Sequence, residues 1–206
     1  MIQNKEIREL PVMESFYSVQ GEGYYQGTPA FFIRLGGCDV GCHWCDVKES
    51  WDAGKHEVLT VEQIVADAKQ TPAKLIILTG GEPLMYDLTY LCQKLREAGF
   101  SINIETSGVY PYSGEIDWVC FSPKKFKEPQ EAFFELADEL KVVIFHPSDI
   151  AWAEQLAQKI KKPSCKLYLQ AEWDRADVMN EKIISYIKNN PHWNISLQTH
   201  KYLNIR

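Results

Sequence analysis

Three cysteines in the stretch RLGGCDVGCHWCDVKESW, Cys38, Cys42 and Cys45, stand four and three positions apart. Thiolate is the soft ligand that iron–sulfur clusters and zinc both take. A [4Fe-4S] cubane has four irons, so three local thiolates would fix three of them and leave the fourth open to a reactant. A structural zinc site wants four protein ligands, and here the only local candidate is His43, which is adjacent to Cys42 and badly placed to converge with it. Zinc would therefore need a distant Cys or His. Redox-active or simply buried cysteines are a third reading. Cys92, Cys120 and Cys165 stand alone in helical or strand-like runs and read as core residues.

Other polar groups recur in short, glycine-containing stretches. Gly80, Gly81 and Glu82 follow the apolar run KLIIL and read either as a strand-ending turn or as backbone that lets a ligand approach closely. Glu105 and Ser107 sit in ETSG, whose residue types are those of an ordinary loop. Ser122, Pro123 and Lys124 form SPK, where the lysine could merely be solvated. Gln20, Gly21 and Glu22 read as a solvated turn ahead of a first strand, or as paired donors and acceptors. Arg34 ends an apolar run, where a charge must be exposed or paired, and its planar fork suits a carboxylate. Thr79, Gln170 and His200 complete the set.

These groups need strands to carry them. Strands are expected in TPAFFIRLGG, KLIILTGGEP, SINIETSG, IDWVCFSPK, LKVVIF, CKLYLQ and WNISLQTH, the first after a short lead. Helices are expected in VEQIVADAKQ behind a Thr60/Gln63 capping box, in YLCQKLREAG closed by Gly99, from about Ser148, and in DRADVMNEKIISYIKNN. The alternation implies an α/β fold with a mostly parallel sheet covered by helices, in one domain spanning 1–206. Most of the chosen residues fall at or just past strand ends, which share one face of such a sheet.

Composition narrows the function class. Hydrophobic residues make up 45% and charged residues 24%, as in a globular protein. Twenty-two basic against 28 acidic residues give a net charge of −6, which offers a phosphate backbone no attraction. The opening MIQNKEIREL lacks the apolar segment of a secretory signal, and no run approaches the roughly 18 to 20 apolar residues of a membrane span. No nucleic acid, no membrane and a cytoplasmic location are expected.

CxxxCxxC with Trp44 before its last cysteine, followed by TGGEP from Thr79, resembles the signature of the radical S-adenosylmethionine superfamily. The wider series SVQGEG, FIRLGGCDVGCHWCD, ILTGGEPL, ETSG, FSPK and LQTHKYLNIR resembles the 7-carboxy-7-deazaguanine synthase family over about Glu14 to Arg206. The resemblance implies a modified, incomplete TIM-like barrel and a lyase. It implies a [4Fe-4S] cluster on Cys38, Cys42 and Cys45, with S-adenosylmethionine on the open iron, cleaved by one electron to a 5′-deoxyadenosyl radical. That radical takes hydrogen from C6 of 6-carboxy-5,6,7,8-tetrahydropterin. Ring contraction and loss of ammonia then give 7-carboxy-7-deazaguanine, a 7-deazapurine precursor of queuosine, and the hydrogen is returned.

By the same resemblance Trp44, Gly80, Gly81, Glu82, Glu105, Ser107, Ser122, Pro123, Lys124 and Gln170 lie near S-adenosylmethionine. Gln20, Gly21, Glu22, Arg34, Thr79 and His200 would meet the pterin, with the terminal carboxylate of Arg206 as a further acceptor. A homodimer, a single-electron donor such as flavodoxin or ferredoxin, and Mg2+ beside the substrate carboxylate are also implied. The magnesium site departs from the family pattern: a hydroxyl residue usually follows the Asp after the last cysteine, and here Asp46 is followed by Val47, which has no oxygen to offer. Two rivals remain at this level: a radical activase that makes a glycyl radical on a protein partner, and a zinc-binding interaction module.

Overall fold

The computed structural model describes residues 7–206, so the segment inspected for a secretory signal lies, through residue 6, outside the described residues. Nine strands form one sheet: β1 Glu9–Val19, β2 Pro29–Leu35, β3 Glu57–Thr60, β4 Leu75–Gly80, β5 Ser101–Thr106, β6 Trp118–Phe121, β7 Glu139–Ile144, β8 Lys166–Ala171 and β9 Trp193–Ser196. Their order is β3-β1-β2-β4-β5-β6-β7-β8-β9. The run from β2 through β4 to β9 is parallel throughout, while β1 is antiparallel to both β2 and β3. With β3 at one edge and β9 at the other, the sheet is a partial, open TIM-like barrel.

Among the described residues five helices connect the strands, α1 Val61–Lys69, α2 Thr89–Glu97, α3 Phe133–Leu136, α4 Asp149–Ala157 and α5 Ala176–Asn189, and a sixth, α6 Thr199–Leu203, follows β9. The Thr60/Gln63 box is present: Gln63 N donates to Thr60 Oγ1 at 3.2 Å, and Thr60 N to Gln63 Oε1 at 2.8 Å. Gly99 ends α2 at φ +86°, a conformation side chains resist.

Strand parity decides what faces the lumen. Phe31, Ile33 and Leu35 of β2, Ile76 and Leu78 of β4, Ile102 and Ile104 of β5, Leu140, Val142 and Ile144 of β7, and Leu169 of β8 join the main core, which also takes in α1 and α2 side chains. The alternate positions turn the other way: Arg34, Thr79, Glu105, Lys141 and Gln170 all line one interior cavity. One apolar core thus fixes the register that delivers the polar set.

Four elements differ from the expectation, one of them the single-turn α3, which no expected helix covers. The lead before Thr28 is β1, the longest strand of the sheet. Its residues are mostly half-buried, and a bulge between Val12 and Glu14 breaks the register just after buried Leu10 and Val12, so no period of two runs along it. The turn holding Gln20 to Glu22 therefore joins the first two strands and does not precede the first. The short β3 was not foreseen, and WNISLQTH ends its strand at Ser196, with Thr199 and His200 opening α6. That helix stops at Asn204, whose left-handed φ of 52° asparagine tolerates.

Candidate active site

The cysteine loop leaves β2 at Gly36. Cys38, Cys42 and Cys45 gather in one apolar patch with Val40, Val109, Trp44 and Tyr110, and all three line the cavity. Burial, with the two neighbouring cysteines adding to it, pushes the Cys42 thiol up to about 11. Such a thiol becomes a ligand once a metal centre draws off its proton. Among the described residues no three His, Cys, Asp or Glu are grouped around the position of a single ion. One ion needs its ligands inside one coordination sphere, whereas a multi-iron cluster spreads its thiolates over different irons. Three soft donors in an apolar pocket fit the cluster.

The Gly-Gly-Glu turn is pressed against this loop. A Cβ on Gly81 would overlap the carbonyl of Gly37 and lie 3.1 Å from the Cys38 Cβ, and one on Gly80, at φ +120°, would overlap the Leu35 backbone. Glu82 is 2% exposed and occupied internally. Its Oε1 accepts from Thr106 Oγ1 at 2.6 Å and Leu84 N at 3.1 Å, and its Oε2 from Ser107 N at 2.7 Å and from Ser107 Oγ. That carboxylate ties the end of β5 to the end of β4.

The Gln-Gly-Glu turn enters the lumen from the end at which β2 begins. Gln20 Nε2 donates to Glu105 Oε1 at 3.0 Å, and its Oε1 accepts from Glu22 N at 3.1 Å. Glu22 takes Lys141 Nζ at 2.5 Å and Gln170 Nε2 at 3.2 Å on Oε2, and Gln198 Nε2 at 2.9 Å on Oε1. Burial would raise the Glu22 carboxyl, but the Lys141 charge and the hydrogen bonds from Lys141 and Gln198 outweigh it and hold it at about 2. Lys141 also lies 3.6 Å from Glu105 Oε1. Burial works against its ammonium too, and the acidic groups around it raise it well above its ordinary value.

Helix α6 closes the wall. Thr199 donates to the Gly21 carbonyl through N at 2.9 Å and Oγ1 at 3.0 Å, and His200 packs on Gly21 so closely that a Cβ there would overlap its ring. Burial lowers the His200 imidazole, which is neutral at pH 7. Further on, Lys201 Nζ reaches Asp46 Oδ2 at 2.6 Å, and Gln198 Nε2 approaches the same oxygen at 3.4 Å. Arg206 lines the cavity, with its main-chain oxygen accepting from Ser18 Oγ and its side chain on Glu14 at 2.5 Å.

Every residue chosen from sequence lines this cavity except Pro123, which is buried beside it. Lys124 is no solvated lysine: its Nζ donates to the Ser122 carbonyl at 2.5 Å and Oγ at 2.7 Å, and burial lowers it. Arg34 does form a structural pair, Nε to Glu14 Oε1 at 3.0 Å, yet that buried N–H is not aimed at the oxygen and has no hydrogen-bond acceptor. Two charged lining residues were missed. Lys141 carries a charge in the middle of an apolar strand, which was signal enough. Glu172, whose buried Oε2 has no partner, follows β8 and had no motif to mark it.

The comparisons agree with this geometry. The Radical SAM superfamily model matches residues 32–171. A 7-carboxy-7-deazaguanine synthase of Flavobacterium psychrophilum is 53% identical over 95% of this chain and 92% of its own length, and one from Escherichia coli K12 is 34% identical over 96% and 99%. The chain belongs to the 7-carboxy-7-deazaguanine synthase family of the radical SAM superfamily. The crystal structure of QueE from Escherichia coli superposes with a TM-score of 0.81 at 31% identity, covering 92% of this chain and 93% of that one. The incomplete barrel is that fold. A radical SAM family member uses S-adenosylmethionine and an iron–sulfur cluster, so the zinc-module reading falls, and membership of the 7-carboxy-7-deazaguanine synthase family displaces the activase reading. No helix among the described residues is long and apolar enough to cross a membrane.

Magnesium does not fit the donor set. Asp46 offers a carboxylate already paired with Lys201, and the neighbouring Val47 has no oxygen, while this hard cation wants near-octahedral oxygen ligands.

Proposed function

We propose that this chain converts 6-carboxy-5,6,7,8-tetrahydropterin to 7-carboxy-7-deazaguanine and ammonia, as a carbon–nitrogen lyase of the family to which it belongs. The observation that carries the substrate class is the pairing of opposites in one lumen. Glu22 presents an ionised carboxylate, and Arg34 presents a buried N–H that no protein group accepts. A heterocycle with an N–H-rich edge at one side and a carboxylate at the other satisfies both.

The cluster is [4Fe-4S] in this reading, held by Cys38, Cys42 and Cys45. Bound there, S-adenosylmethionine supplies a carbon-centred radical for hydrogen abstraction. The chain's own residues set pose and access. Main chain at Gly80 and Gly81, with Trp44, Ser107, Ser122, Lys124 and Gln170, forms the wall around the cofactor. Glu82 acts by fixing Ser107 and the turn, and Pro123 by shaping the SPK loop. Gln20, Gly21, Glu22, Thr79 and neutral His200 hold the pterin, Arg34 takes its carboxylate, and Arg206 closes the mouth. Glu105 sits with the pterin side through its contacts to Gln20 and Lys141. No step passes through magnesium. A flavodoxin or ferredoxin as single-electron donor and a second copy of the chain complete the proposal, in a cytoplasmic setting.

The test is an anaerobic assay of the reconstituted protein with dithionite, S-adenosylmethionine and 6-carboxytetrahydropterin, following product by mass. Formation of 7-carboxy-7-deazaguanine is expected. An intact cluster that cleaves S-adenosylmethionine but leaves the pterin unchanged would sink the substrate assignment.

A further inference from the structure

Lys141 is not at a strand end, belongs to no motif, and has no role in the site as read from sequence. Its side chain is 4% exposed, and its Nζ lies 2.5 Å from Glu22 Oε2 and 3.6 Å from Glu105 Oε1, with all three residues lining the cavity. We propose that Lys141 is a positioning residue of the substrate pocket, drawing Glu22 and Glu105 to one ammonium and keeping Glu22 ionised so that it accepts from the N–H-rich edge of the heterocycle. The inference rests on the pterin reading and deepens it.

The reasoning is electrostatic. Burial raises the Glu22 carboxyl and Lys141 is the charge that lowers it, so without the cation, and with the Glu105 carboxylate beside the vacated position, Glu22 would take up a proton. A protonated carboxyl donates through that proton, and a donor facing the N–H of a ligand is a mismatch. The other ammonium that lines the cavity, Lys124, is held on the Ser122 carbonyl and hydroxyl and is lowered by burial, so it does not stand in for Lys141. Glu139, also on β7, is a carboxyl that burial raises, and the Cys120 thiol of β6 is raised well above its ordinary value by burial. His200 of α6 is neutral at pH 7 because burial lowers it. Gln20, Gln170 and Gln198 donate to the two carboxylates but carry no charge.

The experiment compares kcat and KM across pH for reconstituted wild type, Lys141→Met, Lys141→Arg and the double variant Lys141→Met with Glu105→Gln. Cleavage of S-adenosylmethionine without pterin is measured in parallel. Wild type should show no acid limb from this group. In Lys141→Met, kcat/KM should fall at least about tenfold between about pH 8 and about pH 6, carried by KM, because the carboxyl that must be ionised now titrates there. Removing the Glu105 charge in the double variant should weaken that acid limb, and cofactor cleavage should be unchanged in Lys141→Met.

A Lys141→Met enzyme with the wild-type profile would overturn the inference. So would one that loses the same factor at every pH together with cofactor cleavage, since that is what a purely structural lysine would do. Should Lys141→Met not hold its cluster, Lys141→Arg decides: a flat profile supports the charge, and an acid limb refutes it. Wild type that cleaves S-adenosylmethionine without turning over the pterin would instead refute the substrate reading, and this inference with it.

Discussion

Two glutamates in similar surroundings, Glu82 after Gly-Gly and Glu22 after Gln-Gly, are held in opposite ways. Glu82 is surrounded by neutral donors: a threonine, a serine and two main-chain amides use both oxygens. Glu22 is balanced against a buried ammonium, with only amide side chains besides. The first arrangement is architectural, because four donors from two loops lock one geometry and leave nothing for a ligand. The second keeps a charge alive inside the lumen, at the cost of making one position depend on another 119 residues away.

The contrast can be broken most sharply at Glu22. Glu22→Ala leaves Lys141 buried with only the long contact to Glu105, and losing one partner of a buried pair costs about 3–5 kcal/mol. Denaturant unfolding should show that loss together with abolished turnover. Glu82→Gln should cost less, about 1–3 kcal/mol, since the amide reproduces one acceptor and turns an N–H toward the donors formerly served by the other oxygen.

Acid separates the two residues further. The folded-state carboxyl of Glu22 lies at about 2 against an ordinary 4.5, so its stabilisation is complete above 4.5 and disappears as pH falls through the interval toward 2. Acid unfolding followed by circular dichroism should lose part of its steepness in that interval in Glu22→Gln.

The smallest effects belong to the exposed pair at the cysteine loop. Lys201→Ala should change stability by less than about 1 kcal/mol, because the Asp46 side chain is 51% exposed and such pairs are weak. Withholding magnesium from otherwise complete assays should change the rate less than about twofold, given the missing oxygen at Val47. A strict requirement for the ion would show that Asp46 exchanges Lys201 for it.

Much of this was legible in the chain. The cysteine spacing, the glycine turns and the parallel strands announced themselves because each rests on a local rule. The pairing of Glu22 with Lys141 did not, since sequence scanning looked at strand ends and Lys141 is inside a strand. Parity held the clue: in ELKVVI the residues Leu140, Val142 and Ile144 claim the core, so Lys141 and Val143 had to face the lumen. The strand β1 stayed hidden for the converse reason, because its alternation stops at the bulge after Val12 and the rest of it is half-buried. Arg34 was read as either ligand or ion pair, and the structure gives it a part of each.

Helix α6 and the residues around it find their partners far back in the chain: Gln198 on Glu22, Thr199 on Gly21, Lys201 on Asp46 and Arg206 on Glu14. Contacts of such long sequence separation close late in folding. During translation the cysteine loop and every parallel strand up to β9 leave the ribosome before this last wall exists. The nascent protein therefore passes through a stage in which the Gly21 turn and Asp46 lack the partners that α6 later brings, and the lumen stands open on that side.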